Sequence, residues 1–241
     1  MAKESRLSEE HDISYAEQIQ ALKEISAAIS SDRYIEDVLR LIVTVTAQAM
    51  NSKVCSLWLI EEDEKCLRVR AAQTMNKDYL KERSLGLGEG VVGFVAQRDE
   101  PAIIPDVLKE PRYKEKDLAK KMGLRSMLSV PMKVRDRVIG VINCYTSYEH
   151  DFSDTELDLL TTVANQAAIC IENTELMVRS KVIREELESR KLIERAKGML
   201  MKDLGLQEDD AFQMMRKKSM NSRRSMREIA EAIILANELK S

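Results

Sequence analysis

The sequence is poor in the residues that metal sites and nucleophilic enzymes use. It has two histidines and four cysteines in 241 residues, and Cys55, Cys66, Cys144 and Cys170 form no CxxC pair. Because a protein zinc site needs a closer group of ligands, we expect no metal centre. Free cysteine is among the most buried residue types, so packed, reduced thiols are expected, with a redox-sensing thiol as the alternative.

Long apolar runs and a strong net charge are also lacking. No stretch of about eighteen apolar residues occurs, and the first twelve residues are polar and charged, so neither a membrane span nor a signal peptide is expected. We expect a cytoplasmic protein with no membrane partner. The formal net charge is −3, so any surface for nucleic acid must be local.

The first two thirds of the chain pass from helical spacing to strand alternation. Ser14 and Glu17 fit a capping box that begins a helix. Helical spacing is found at 14–29 and 34–50, and strand patterns follow at 54–60, 67–71, 101–106, 125–134 and 138–145. The last strand is apolar throughout, which is typical of a strand inside a sheet. These patterns predict one antiparallel sheet with flanking helices.

A glycine-rich segment lies in the middle of this region. Gly88, Gly90 and Gly93 match GxGxxG, a pattern of dinucleotide-binding loops. That motif requires a buried strand directly before it, whereas residues 79–84 include the charged run Lys81, Glu82 and Arg83. We therefore interpret the glycines as a loop with positive backbone angles that leads into a short helix.

A long helix is predicted from the capping box at Ser153–Glu156 onward. No proline or glycine interrupts it before Gly198. Apolar or small residues lie alternately four and three apart, as in a coiled-coil seam, at Leu160, Ala164, Ala167, Ile171, Thr174 and Val178. Two hypotheses stay open: this seam joins two copies into a homodimer, or this side of the helix merely covers the sheet.

Five segments of this region occur in an order that resembles a GAF domain, the small-molecule sensing fold of many signalling proteins. They are Leu85–Ala96, Pro105–Val107, Ser126–Pro131, Gly140–Asn143 and Phe152–Leu157. The resemblance implies an α+β fold with helices flanking an antiparallel sheet. Signatures of cyclic-nucleotide-binding and bilin-binding members are absent. No cofactor is therefore evident, the cofactor-binding residues are unknown, and an unidentified small-molecule ligand stays open.

Three later segments, Leu187–Met201, Asp210–Arg216 and Arg223–Ala230, closely resemble the ANTAR domain, an RNA-binding transcription antiterminator module. The resemblance implies an all-α, three-helix domain that binds paired RNA stem-loops in a nascent transcript, usually as a dimer, and so prevents an overlapping terminator from forming. The predicted organisation is a flexible N-terminus at 1–13, a GAF sensor domain with dimerising helices at 14–180, and the ANTAR RNA-binding domain at 181–241, joined by a long coiled-coil-like helix.

The helices of this last domain are predicted at 185–204, 208–220 and 226–239. Gly205 ends the first, and Ser225 with Glu228 caps the third. Their apolar stripes predict a small core of Ile193, Ala196, Leu200, Leu204, Ala211, Phe212, Met215, Met226, Ile229, Ala230 and Ile233. Since Phe212, the only aromatic residue here, is placed in that core, stacking on splayed bases is not the expected mechanism.

The polar side of the three helices is basic and forms the candidate RNA surface. Its cations are expected to contact phosphates and base edges. A glycine in mid-helix lowers stability by about 1 kcal/mol relative to alanine. Two reasons for Gly198 stay open: it leaves room for the RNA to come close, or it allows another helix to pack tightly. The predicted RNA-binding residues are Arg190, Lys191, Arg195, Lys197, Gly198, Arg216, Ser219, Asn221, Arg223 and Arg224.

The sequence therefore favours a signal-responsive antiterminator and not an enzyme. The expected partners are RNA with tandem stem-loops, a second copy of the chain, and either RNA polymerase or an upstream signalling protein. Two alternatives stay open. One is a DNA-binding regulator, since three small basic helices can form a helix-turn-helix. The other is a cysteine-based reductase of the GAF type, which would need Cys55, Cys66 and Cys144 to meet in one pocket.

Overall fold

The structure, a computed structural model, describes residues 15–31, 34–61, 63, 65–73 and 83–239. The chain forms two compact units that divide between Thr174 and Glu175. The predicted flexible stretch 1–13 and Ser14 of the first capping box lie outside the described residues.

The first unit is built on one antiparallel sheet. Its strands are β1 (Val54–Glu61), β2 (Cys66–Ala72), β3 (Ser84–Gly86), β4 (Ala102–Ile104), β5 (Met127–Val134) and β6 (Arg137–Tyr145). They lie in the order β3-β2-β1-β6-β5-β4. The apolar strand β6 pairs with β1 on one side and β5 on the other, so its predicted position inside the sheet is confirmed.

Helices cover both faces of this sheet, because successive strand residues point to opposite sides. Leu57 faces a core made with α1 (Tyr15–Ile29), α2 (Ile35–Ala49) and the first part of α5 (Asp154–Leu204). Its neighbour Trp58 faces a second core made with α3 (Gly90–Arg98) and α4 (Lys116–Met122).

The glycine-rich segment forms the loop predicted for it. Gly88 and Gly90 have φ values of 80° and 66°, which are costly for residues with a Cβ atom. At Gly93, a Cβ atom would lie 2.2 Å from the carbonyl oxygen of Gly86. The glycines therefore allow a tight loop to close against the first turn of α3.

The first part of α5 covers the sheet. Its capping box is confirmed, since the Ser153 N–H donates to Glu156 Oε2 at 2.8 Å and the Glu156 N–H donates to Ser153 Oγ at 3.3 Å. Residues of the predicted seam are buried in the first unit's core, at Leu160, Ala164, Ala167 and Ile171. The dimer interpretation is therefore wrong for these four residues, and the covering interpretation is confirmed. Val178, further along, is 59% exposed.

The second unit packs the last part of α5 against α6 (Glu208–Ser222) and α7 (Met226–Glu238). Its core consists of Ala196, Met215, Ile229, Ala230 and Ile234. Gly205 ends α5 with φ 66°, and Ser225 with Glu228 forms the predicted capping box of α7.

Two residues predicted for this core lie outside it. Leu204 is 56% exposed and Phe212 is 39% exposed. The stripes predicted from the sequence are wider than the core, because three short helices enclose only a narrow strip of each helix surface.

Candidate nucleic-acid interface

A fixed corner between α6 and α7 carries two of the predicted arginines. Arg223 ends α6 in the left-handed conformation, with φ 55°. The Arg224 N–H donates to the Ser219 carbonyl at 3.2 Å, and Ser219 Oγ donates to the Arg224 carbonyl at 2.6 Å. Ser219, predicted as an RNA contact, therefore helps to hold Arg223 and Arg224 in place.

Lys197 is the predicted contact that the fold already engages. It is 8% exposed, and its Nζ lies 2.6 Å from Glu194 Oε2 and 2.7 Å from Glu208 Oε1. The hydrogen bonds to Glu194 and Glu208 raise the pKa of Lys197. This pairing ties α5 to the start of α6 and favours a structural role, and RNA contact by Lys197 stays a prediction.

Arg195 is paired more loosely. Its guanidinium lies 3.0 Å from Glu238 Oε1, and both side chains are more than half exposed. Exposed ion pairs contribute little to stability, so Arg195 can exchange this carboxylate for a phosphate.

The other predicted cations are exposed, and within the described part of the chain no ion pair engages them. They are Arg190, Lys191, Arg216, Arg223 and Arg224. Asn221 is exposed as well, in the last turn of α6. These side chains are available to an anionic ligand without breaking an internal salt bridge.

Four exposed residues form one stripe on α5: Lys191, Arg195, Gly198 and Lys202. At 3.6 residues per turn they fall within about 60° of one another around the helix. A Cβ atom at Gly198 would meet nothing within 4 Å, so no described helix packs there. Gly198 thus leaves a shallow gap between cations. Lys202 was not among the predicted contacts, although its spacing from Lys191 and Arg195 places it on the same stripe.

Charge is divided along α6. Its first turn holds Glu208, Asp209 and Asp210, where carboxylates are favoured by the helix dipole. Arg216, Lys217 and Lys218 follow in the second half. A phosphate backbone would therefore meet attraction at the C-terminal half of α6 and repulsion at its start.

The first unit contains a buried polar cluster under the face covered by α3. Ser129 Oγ donates to Asn143 Oδ1 at 2.6 Å, and both residues are fully buried. Asn143 Nδ2 has no hydrogen-bond partner among the described residues. A buried amide donor without a partner is unfavourable, and an acceptor on a small ligand would satisfy it.

Cys55, Cys66 and Cys144 do not meet in one pocket. Cys55 and Cys144 are fully buried partners across β1 and β6. Burial and the hydrogen bond to Cys144 hold the pKa of the Cys55 thiol well above its usual range. Cys66 pairs with Glu61 at the other end of β1, about 20 Å from Cys55 along the strand. The three-cysteine pocket that a reductase would need is absent from the described chain.

Neither a metal site nor a membrane span emerges from the residues described. No three His, Cys, Asp or Glu side chains among them are grouped to hold a metal ion. None of their helices is long and apolar enough to cross a bilayer.

Comparison with known families agrees with both units. The GAF domain model matches residues 35–171, more than half of the chain, and the ANTAR domain model matches residues 181–234. This chain belongs to the GAF family and carries an ANTAR domain. The fold of the first unit is accordingly a GAF fold, and the helices of the second unit fit an ANTAR domain.

Individual relatives cover different parts of this GAF–ANTAR chain. The transcriptional regulatory protein PdtaR of Mycobacterium tuberculosis (strain ATCC 25618 / H37Rv) is 27% identical over 186 residues, covering 73% of this chain and 88% of its own. The phosphoenolpyruvate-dependent phosphotransferase system protein of Escherichia coli (strain K12) is 28% identical over 155 residues, covering 64% of this chain. The chain spans only about a fifth of that relative's length, 21%.

A solved structure shares the fold of the first unit. It is the GAF domain of a phosphoenolpyruvate-protein phosphotransferase from Coxiella burnetii, with a TM-score of 0.62 and 22% identity, covering 68% of this chain and 98% of that one. At this identity the likeness concerns the fold alone.

Proposed function

We propose that this GAF–ANTAR chain is a cytoplasmic, RNA-binding transcription antiterminator whose GAF domain controls the ANTAR domain. The observation that supports it most is the set of exposed cations on α5, α6 and the α6–α7 corner that no described ion pair engages. Affinity for nucleic acid rests largely on such groups, which neutralise phosphates. The match to a transcriptional regulatory protein supports a regulatory and non-enzymatic role.

Binding is proposed to use two surfaces of the ANTAR domain. The α5 stripe of Lys191, Arg195 and Lys202 contacts phosphates, and Gly198 lets the backbone come close to the helix. Arg216 and the corner arginines contact the loop, where a guanidinium can donate two hydrogen bonds to a base edge. RNA that is bound in this way cannot pair into the overlapping terminator hairpin.

A second copy of the chain is proposed to seal an apolar stripe on α5. Leu176, Ile183 and Leu187 are 53%, 64% and 53% exposed. They lie seven and four residues apart, within about 40° of one another around the helix. Such spacing is typical of one strand of a coiled coil, and the same stripe on another copy is complementary to it by symmetry. Val178 of the predicted seam lies on the opposite side of the helix.

Dimerisation would give the protein two ANTAR domains and suit RNA with two neighbouring stem-loops. Once one hairpin is bound, binding of the other is intramolecular, so affinity can rise by roughly 100-fold or more without new contacts. The signal would act by changing the position of one ANTAR domain relative to the other. It would come from a small-molecule ligand, an upstream protein or RNA polymerase. The polar cluster at Asn143 is the proposed meeting point for a small-molecule signal.

The test is binding of the full chain to an RNA with two adjacent hexaloop stem-loops, compared with the same RNA lacking one hairpin, at several salt concentrations. We expect tight, salt-sensitive binding that weakens at least about 10-fold when one hairpin is deleted. The variant Arg216→Gln should weaken binding, whereas the matched variant Lys120→Gln, on α4 of the GAF domain, should not.

Duplex DNA and scrambled RNA serve as competitors at equal salt. Equal affinity for hairpin, scrambled RNA and duplex would contradict the proposal, and preference for duplex DNA would favour the DNA-binding alternative. If an absent effector keeps the two ANTAR domains apart, the difference between two hairpins and one would vanish while the preference for a hairpin over a scramble remained.

A further inference from the structure

Phe212 is the only aromatic residue between Glu175 and Ser241, and it stays outside the core of its domain. Its neighbours on α6, Ala211 and Met215, are buried, whereas Phe212 is 39% exposed. Neither the buried core of the second unit nor the partly buried residues packed against it include Phe212. The exposed part of the ring is apolar surface that a ligand or partner would remove from water.

The ring shares one side of α6 with cations. Phe212 and Arg216 lie four residues apart, within about 40° around the helix, and Arg223 follows at the left-handed end of α6. Within the described chain, Arg216 and Arg223 make no ion pair. Ser219 lies on the same side and fixes the corner through its hydrogen bond to the Arg224 carbonyl.

We propose that Phe212 is a stacking platform for an unpaired base of the RNA loop, with Arg216 and Arg223 holding the flanking phosphates. This inference rests on the proposed RNA-binding function. It reverses the expectation from the sequence that stacking plays no part, because that expectation depended on a buried ring. Unpaired loop bases are the parts of RNA that aromatic rings bind, since every base has a π-face.

The charge pattern of α6 favours one side of the ring for the phosphates of a bound strand. Glu208, Asp209 and Asp210 precede the ring, and phosphates would be repelled there. Arg216 follows the ring by one turn of helix. The phosphates that flank a base on Phe212 would therefore be attracted toward Arg216 and Arg223 and away from the first turn of α6. The ring stands at the boundary between the acidic and the basic half of the helix.

The experiment compares Phe212→Leu with Phe212→Tyr in the full chain, because leucine keeps an apolar side chain but lacks a π-face and tyrosine keeps the ring. Met214→Leu, at an exposed site on another side of α6, is the matched control. The probe is the two-hairpin RNA with 2-aminopurine at one loop position at a time, together with RNAs that carry an abasic site at the same position.

We expect Phe212→Leu to weaken binding about 5- to 100-fold, the range that loss of one base–aromatic stack gives, with Phe212→Tyr and Met214→Leu close to wild type. At one loop position, 2-aminopurine fluorescence should be quenched by the wild type and not by Phe212→Leu. An abasic site at that position should weaken the wild type but add nothing to the loss in Phe212→Leu.

Equal affinity of wild type and Phe212→Leu would overturn the inference while leaving the proposed function standing. A fall in dimer mass on Phe212→Leu, measured by sedimentation, would assign the ring to a protein contact and also overturn it. Failure of the wild type itself to prefer hairpins would overturn the proposed function.

Discussion

The two units use the same helix in different ways. In the first unit, α5 packs Leu160, Ala164 and Ala167 against the sheet, where they are fully buried. In the second, between Glu175 and Glu188, every residue of α5 is exposed, although Leu176 and Ile183 are as apolar as any in the first unit. Apolar residues with similar spacing along α5 thus form the core of the first unit in one region and leave an exposed apolar surface in the other.

The glycines differ in the same sense. In the first unit, Gly140 and Gly93 are places where a Cβ atom would overlap backbone atoms at 2.2 Å. In the second unit, Gly198 and Gly205 meet nothing within 4 Å. The GAF domain is closely packed and self-contained, whereas the ANTAR domain has free surface where a ligand or partner can come near.

The largest expected effect comes from Gly140→Ala. Its Cβ would lie 2.2 Å from the Trp58 carbonyl oxygen and 2.5 Å from Met132 Cε, so β1 and β6 would have to separate. Overpacking of this kind typically costs up to about 3 kcal/mol of unfolding free energy. Urea unfolding followed by the fluorescence of Trp58, the single tryptophan, measures it. Gly86→Ala, whose Cβ would be 3.6 Å from the flexible Glu89 side chain, should change little. Similar losses in both variants would refute the packing argument.

Next in size is the loss of the proposed dimer in Ile183→Glu. A charge in a coiled-coil seam is unfavourable, and we expect the dissociation constant of the homodimer to rise by at least about 10-fold, or 1.4 kcal/mol. Val178→Glu is the matched control, because Val178 is equally apolar and 59% exposed but lies on the opposite side of α5. Sedimentation equilibrium distinguishes the variants. Should Val178→Glu dissociate the dimer and Ile183→Glu not, the interface would be the seam first predicted from the sequence.

That seam illustrates what the sequence could and could not establish. The caps at Ser153 and Ser225, the end of α5 at Gly205 and the strand β6 are determined by local rules and were predicted correctly. The role of Leu160 and Ala164 was not, since a spacing of three and four suits both a sheet-covering helix and a dimer. Only the position of the sheet distinguishes them.

The candidate site was predictable by residue type but not by exposure. Nothing in the spacing indicates that Phe212 and Leu204 lie outside the small core, because helical periodicity identifies a side of a helix and not the width of the core. Nor could it tell Lys197 from Lys191, since the carboxylates that engage Lys197 come partly from α6, at Glu208, eleven residues along the chain.

Gly198→Ala should separate stability from binding. Alanine in mid-helix is favoured over glycine by about 1 kcal/mol, and nothing lies within 4 Å of the new Cβ, so helix unfolding followed by circular dichroism should occur at higher temperature. RNA affinity should nevertheless fall several-fold, since the methyl group fills the gap in the cationic stripe. Gly205→Ala, at φ 66°, should instead lower the unfolding temperature because of backbone strain. Unchanged RNA affinity in Gly198→Ala would exclude a close approach at this site.

The smallest effect concerns the pH dependence of the ion pair between Lys197 and Glu208. The hydrogen bond to Lys197 lowers the pKa of Glu208 below its ordinary value of 4.5. Its contribution to stability is therefore present above pH 4.5 and is lost as the pH falls through the lowered pKa. Glu208→Gln removes this contribution, so its unfolding midpoint should lie a few degrees at most below that of the wild type at pH 7, and the two should converge in acid. Glu231→Gln, at an exposed pair with Arg227 within α7, controls for charge. A difference between Glu208→Gln and the wild type that persisted undiminished in acid would show that the stability does not come from the charged form of Glu208.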